Sequence, residues 1–444
     1  MRVLVVGGGG REHALCWKLK QSPELTELFC APGNPGIARL AACLPKGVDE
    51  IHALADFARD ARIDLTIVGP ELPLTLGIVD EFRSRGLAIF GPTMAAAELE
   101  GSKAFTKRFL DRHEIPTAEF RLARDRPEAE RAVAEFGIPV VLKADGLAAG
   151  KGVVVATERA EVDAALASFF DDRRFGAAGD VVVVERCLMG EEVSLLALSD
   201  GERLLPFATA RDYKRLGDGD VGPNTGGMGS HSPSGVLDGR RAAEVLERVM
   251  RPTIDGLAEE GRPFTGVLYA GIMLTNDGPK VLEFNVRMGD PETQALLLRL
   301  EDDLLPVLAA GAAGNFGVSR LHFRKAASAV VVLASAGYPE RPVKGEPIRG
   351  LDAAATHEGV VVFHAGTAEV DGQIVSSGGR VLNVASAGPD LPTALRAVYG
   401  AVAEIDWPSK RYRTDIGRRL VERVEPSGET GAFDVRTFGP GRKT

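Results

Sequence analysis

The chain has 444 residues, 45% of them hydrophobic and 26% charged, with a formal net charge of -9, the proportions of an ordinary soluble globular protein of roughly two to four domains. The acidic balance argues against nucleic acid as the main partner, so an anionic ligand has to be held by local basic groups. No apolar run approaches the roughly 20 residues that span a bilayer, and from the strand pattern beginning at Arg2 no signal peptide is expected.

Residues 2–6 read as a buried strand, 7–10 as a tight glycine turn and 11–20 as a helix. Strand-like runs at 64–68 and 87–90 end at Gly69-Pro70-Glu71 and Gly91-Pro92, with helical patterns between. Such alternation predicts a parallel sheet with flanking helices, whose ligands bind at the carboxyl ends of the strands. A helix is expected over 95–113 and another near 128–136. Two short apolar strands, 140–143 and 153–156, then flank a glycine-rich loop. That pairing is a hairpin, not a crossover, and marks a mixed α+β domain. Residues 181–184 read as a central strand and 240–260 as helix. Strands at 266–275 and 280–285 enclose Asn276-Asp277-Gly278, a strong hairpin signal. From about Ser328, short strands at 330–334, 359–365, 373–377 and 380–385 and a helix at 391–404 suggest a small third domain, followed by a loosely held tail. No internal repeat is present. Cys16, Cys30, Cys43 and Cys187 lack zinc-type spacing. Cys16 and Cys187 sit in apolar company and are expected to be buried thiols in a reducing, cytoplasmic setting.

The run Gly7-Gly8-Gly9-Gly10-Arg11-Glu12-His13 invites a dinucleotide reading. The closing glycine of Gly-x-Gly-x-x-Gly is missing, however, because Glu12 or His13 stands in its place. What remains is a turn leading into a helix N-terminus beside Arg11, which can cradle phosphate or be a plain strand–helix turn. The loop from Gly146 to Gly152 is not a P-loop. Asp145 holds the first glycine position, Gly152 replaces the hydroxyl residue, and the loop joins two strands. It is either a flexible turn or a flap over a triphosphate, presenting backbone amides and Lys151, with Lys143 on the preceding strand. Downstream, Glu283 and Asn285 are two apart on a strand and share a face. Arg287, Asp290 and Glu292 follow, and Val281, Leu282 and Phe284 are apolar. Acidic groups on the far face of a covered strand need a cation. A Glu and an Asn oxygen suit magnesium and suit zinc poorly.

These segments resemble the ATP-grasp ligases and, within them, the phosphoribosylamine–glycine ligase family, over residues 1 to about 421. The resemblance is carried by Gly9-Gly10-Arg11-Glu12-His13-Ala14, Ala31-Pro32-Gly33-Asn34, Val68-Gly69-Pro70-Glu71, Gly101-Ser102-Lys103-Ala104-Phe105, the glycine flap, Gly222-Pro223-Asn224-Thr225-Gly226-Gly227-Met228-Gly229 and the segment 283–294. It implies an α/β and α+β multidomain chain. The N-terminal Rossmann-like domain would cover 1–101, and an ATP-grasp core 102–320 with a mobile lid subdomain at about 117–187. A small C-terminal mixed β domain would cover 321–421, and a tail 422–444. It further implies a monomeric, cytoplasmic enzyme that spends ATP with Mg2+ (or Mn2+) to join glycine to 5-phosphoribosylamine.

Carried over residue by residue, the resemblance implies that Lys103, Lys143, Gly150 and Lys151 meet the ATP phosphates. Glu185, Arg186, Cys187 and Leu188 would form the adenine-facing linker, with Glu192 on the ribose, and Arg215 and Asn224 would also lie on the ATP side. Glu283 and Asn285 would hold the metal. Gly10, Arg11, Asp212, Gly227, Met228 and Arg287 would face the substrates, and Lys143, Arg287 and Asp290 would act in catalysis. Val286 and Met288 stand where the family often has Cys and Phe, and Tyr213 and His231 where it has His and Tyr. The strand 268–272 carries no acid, which leaves the site of a second metal ion open. No covalent nucleophile is apparent.

Overall fold

The computed structural model describes residues 1–146, 152–174 and 176–423. Strand β1 (Arg2–Gly7) lies at the centre of a parallel sheet with β2 (Glu27–Pro32), β3 (Ala42–Cys43), β4 (Leu65–Val68) and β5 (Ile89–Phe90), in the order β3-β2-β1-β4-β5. The expected parallel sheet is therefore present. Strand β2, which the sequence reading passed over, pairs with β1 over its whole length. Helix α1 (Gly10–Leu19) starts directly after the glycine turn, where Glu12 reaches back to accept from the Gly9 N–H at 2.6 Å.

The helix expected over 95–113 is two helices, α2 (Met94–Gly101) and α3 (Lys103–Arg112). Ser102 separates them with extended backbone (φ -135°, ψ 114°), and its hydroxyl caps α3 by accepting from the Phe105 N–H. Beyond it, β6 (Phe120–Ala123), β7 (Val140–Ala144), β8 (Val153–Ala156) and β9 (Val182–Arg186) form an antiparallel sheet in the order β6-β9-β7-β8. Its core packs Val140, Leu142, Ala144, Val182 and Val184 against Phe136, Leu166 and Phe169. The flap residues Gly150 and Lys151 lie outside the described residues.

A second antiparallel sheet contains β10 (Glu191–Asp200), β11 (Leu204–Pro206), β16 (Thr265–Thr275) and β17 (Gly278–Asn285), ordered β11-β10-β16-β17. Between β11 and β16 come β12 (Arg211–Asp212), the hairpin β13 (Arg215–Gly217) and β14 (Val221–Asn224), and β15 (Gly229–Ser232). The C-terminal region adds β18 (Ala327–Ser335), β19 (Val360–His364), the hairpin β20 (Thr367–Val370) and β21 (Gln373–Ser376), β22 (Arg380–Gly388), helix α4 (Leu391–Glu404) and β23 (Lys410–Arg411). Strands β12 and β15 join this sheet, in the order β12-β15-β18-β22-β19 with β23 on β18. Two segments from within the expected 102–320 region thus complete a sheet whose other strands come from beyond residue 320. Among the described residues, no helix is long and apolar enough to cross a membrane.

Candidate active site

The floor of the site is β17. Strict alternation would put Val281 and Glu283 on one face. Instead the register with β16 slips: Gly271 faces Glu283, but Ile272 faces Val281, so Leu282 is an extra residue. The bulge shifts the phase of the strand. Val281 and Phe284 enter the core, while Glu283 and Asn285 point into a cavity of about 590 Å³. Gly271 makes room opposite, where a Cβ would come within 3.1 Å of Glu283 Cγ.

The roof is the sheet β6-β9-β7-β8. On β7, Val140, Leu142 and Ala144 turn into the lid core, which sends Lys143 the other way. Its ammonium donates to the Leu282 carbonyl at 2.9 Å and pairs with Glu185 at 2.8 Å. Glu185, on β9, also holds Lys107 at 3.1 Å. Lys103 donates to the Gly146 carbonyl at 3.0 Å, at the root of the flap. Burial pulls the Lys107 ammonium down to about 8 and lowers that of Lys103. Burial disfavours these charged ammoniums, so an anion entering here would be welcomed.

Arg287 is fixed at the cavity edge by four acceptors: Glu71 at 3.1 Å, Glu100 at 2.8 Å, the Asn285 side-chain oxygen at 3.1 Å and the Met288 carbonyl at 3.3 Å. Burial raises the Glu100 carboxyl to about 7. Glu71 stays near 2, because Arg287 and Arg11 outweigh its burial. Arg11 donates to Glu12 at 2.6 Å and to the Met288 carbonyl at 3.0 Å. Asp290 accepts from Gln294 at 2.8 Å and faces Arg380 at 3.5 Å.

Lys214 was not anticipated from sequence, and it sits at the centre. Its ammonium lies 2.6 Å from Glu192 and 3.0 Å from Glu283. Lys214 is the chief reason that the Glu283 carboxyl falls to about 2, and Lys143 adds to the effect. Asp212 also borders the cavity. Burial, and then Glu292, push its carboxyl well above the usual range, and its Oδ1 has no hydrogen-bond partner. Glu292 accepts from the Tyr269 hydroxyl at 2.6 Å. Tyr338 and Arg380 close the far wall: Arg380 donates to the carbonyls of Gly226 and Asp290 at 2.6 Å each, and the Gly226 N–H donates to the Tyr338 hydroxyl at 3.0 Å.

The cavity therefore gathers Lys103, Lys143, Glu185, Asn224, Glu283 and Asn285 with Arg11, Asp212, Arg287 and Asp290. Other expected site residues take different places. Arg186 pairs with Glu119 at 2.9 Å, Arg215 donates to the Gly222 carbonyl, and Met228 is fully buried. Gly227 has φ +114°, and a Cβ there would meet Pro291 at 2.5 Å and Asp212 at 2.8 Å, so only glycine fits. Gly10 packs against Asn383 and Gln294. Cys16 is buried as expected. Cys187 is only half-buried, because it lies just past the end of β9, where the lid core no longer covers the chain. Lys107, Lys214, Glu71, Glu100, Tyr338 and Arg380 carried no spacing signal. Only Glu71, directly after the Gly69-Pro70 turn at a strand's carboxyl end, stood where one could have looked.

Among the described residues, no three His, Cys, Asp or Glu side chains converge to hold a metal. The pair Glu283 and Asn285 offers one carboxylate and one amide oxygen to a shared cavity. This all-oxygen set fits a hard divalent ion that takes its remaining ligands from elsewhere.

Three family models describing phosphoribosylglycinamide synthetase match the chain in order: the N domain over residues 1–100, the ATP-grasp (A) domain over 101–293 and the C domain over 328–419. The chain is 49% identical over 423 residues to a phosphoribosylamine–glycine ligase of Brucella melitensis, covering 95% of this chain and 99% of that one. It is 50% identical over 426 residues to that of Pseudomonas aeruginosa, covering 95% and 99%. The crystal structure of the Thermotoga maritima phosphoribosylamine–glycine ligase superposes with a TM-score of 0.82 at 34% identity, covering 94% of this chain and 100% of that one. The N5-carboxyaminoimidazole ribonucleotide synthetase of the same organism shares the fold, with a TM-score of 0.64 at 17% identity over 92% and 99% of the two chains.

Proposed function

The chain belongs to the phosphoribosylglycinamide synthetase family, and from that premise we propose how this ATP-grasp ligase of purine biosynthesis joins glycine to 5-phosphoribosylamine. The products are glycinamide ribonucleotide, ADP and phosphate. In our reading the glycine carboxylate attacks the γ-phosphoryl group of ATP to give glycyl phosphate. The amine of phosphoribosylamine then displaces phosphate.

The observation that carries this reading is the meeting of Lys143 with β17. A cation from the base of the flap donates to the Leu282 carbonyl, directly before the two oxygen donors Glu283 and Asn285, inside one cavity. Phosphoryl transfer asks the protein for positioning and charge stabilisation rather than a nucleophile. Lys143 and Lys103 offset charge gathering on the transferred group. Glu185 keeps Lys143 and Lys107 from separating. Glu283 and Asn285 are the residues to hold Mg2+ or Mn2+, which would act as a Lewis acid on phosphate oxygens. Arg287, pinned by Glu71 and Glu100, is fixed rather than free to swing, as suits a group that aligns a substrate anion. Arg11 and the head of α1 serve the phosphoribosyl group. The expected compartment is the cytoplasm.

Release of ADP should require both glycine and phosphoribosylamine, with the amide product seen by mass spectrometry. Turnover that needs bicarbonate in place of glycine would reassign the acceptor. Glu283→Ala should lower turnover roughly a hundredfold or more, as loss of a preorganised charged group does. Near-normal activity in that variant would overturn the metal assignment.

A further inference from the structure

The ammonium of Lys214 lies between two carboxylates, 2.6 Å from Glu192 and 3.0 Å from Glu283. Its backbone is pinned, because the carbonyl of Lys214 accepts from both the N–H and the hydroxyl of Thr225, each at 2.8 Å. A fixed root with a flexible four-carbon stem lets the charge move while the loop stays still. The second of these carboxylates, Glu283, is the one that the proposed function assigns to the divalent ion. Asn285, the other member of that pair, is held by Arg287. Each oxygen donor thus already has a resident cation of the protein's own.

We propose that Lys214 is a positioning residue that occupies the divalent-ion position at Glu283, with Glu192 as its second anchor, so that the metal is admitted only together with the nucleotide. A bare divalent ion would have to displace an ammonium shared by both carboxylates and enter beside the Lys143 and Lys103 charges that also act on Glu283, and would gain little by the exchange. A triphosphate brings enough negative charge for both cations to be retained. Glu283 then passes from the ammonium to the metal while Lys214 remains on Glu192. The inference rests on the assignment of Glu283 as a metal ligand, and the test separates the two.

The probe is Mn2+ alone, with free ion followed by electron paramagnetic resonance on the full chain. Nucleotide-free wild type should bind it at least roughly tenfold more weakly than Lys214→Met, a difference of the size that loss of one competing charge produces. Lys214→Arg should behave as wild type. In a thermal melt without nucleotide, Mn2+ should raise the midpoint of Lys214→Met and leave that of wild type unmoved, a readout that a merely structural lysine would not give. The milder Lys214→Gln covers the case in which the Met variant does not fold. Equal Mn2+ affinity in wild type and the neutral variants would overturn the proposal. So would nucleotide-free wild type that binds Mn2+ as tightly as the nucleotide-loaded enzyme, a result that needs no variant. Glu283→Gln decides the underlying assignment. If nucleotide-dependent Mn2+ binding survives that change, the metal reading fails; if it is lost while Lys214→Met gains nothing, only the role of Lys214 fails.

Discussion

Gly10 holds its position at the head of α1 by having no side chain. A Cβ there would fall 2.2 Å from Asn383 Nδ2 and 2.7 Å from Gln294 Nε2, and both of those side chains are buried. Gly10→Ala should therefore cost roughly 1–3 kcal/mol by overpacking, measured by denaturant unfolding. It should also raise the KM for phosphoribosylamine, because Gln294 orients Asp290. A stability unchanged within error would mean that the two amides can move aside. The glycine was conspicuous in the sequence as part of a turn, and the ligand-cradle reading was natural. That two amides from distant segments fill the space above it could not be read, since Asn383 lies 373 residues away in an unremarkable strand pattern.

At the scale of elements, the break at Ser102 and the bulge at Leu282 do most to shape the site. Asp145, at the base of the flap, accepts from the Ser102 hydroxyl at 2.9 Å and from the Ala104 N–H at 2.7 Å, which ties the lid to the start of α3. Asp145→Ala removes the one oxygen that accepts both bonds and should cost about 1–3 kcal/mol. Amide exchange at Ala104 should speed up in this variant, and unchanged protection there would show that the tie is not made in solution. The hairpin around the flap and the hairpin at Asn276-Asp277-Gly278 were both legible, because turn chemistry and alternation are local signals. The helix break was not. Residues 95–113 keep a helical pattern throughout, and the interruption comes from Ser102 choosing a cap and a partner in another element. The shared face of Glu283 and Asn285 was read correctly. The bulge that places Val281 on the opposite face depends on pairing with β16 and was invisible.

At the scale of the molecule, the N-terminal sheet and the C-terminal region meet through histidine. His13, on α1, accepts at Nδ1 from the His364 N–H at 2.8 Å, and the His364 ring touches Thr367. Burial pulls His13 down to about 3 and His364 to about 4 from an ordinary 6.5. Both are thus neutral in the folded state, while the unfolded chain takes up protons below about pH 6.5. Between the folded and unfolded values the unfolded state binds more protons, so stability falls as pH drops. Each histidine should cost roughly 2 kcal/mol between pH 7 and pH 5. Thermal midpoints measured across that range should decline, and His13→Asn should flatten the decline. A slope unaltered by that substitution would place the acid sensitivity elsewhere.

The sequence alone determined the parallel first sheet, the two decisive hairpins and the shared face of Glu283 and Asn285. Each of those rests on neighbours within a few residues, on periodicity and on turn-forming side chains. The tertiary structure alone decided which charges meet. Lys214 reaches Glu283 across 69 residues, Arg380 closes on Asp290 across 90, and β12 and β15 complete a sheet begun beyond residue 320. Partners of this kind are selected by packing in three dimensions, and the energy of a buried charge depends on what surrounds it rather than on what precedes it in the chain.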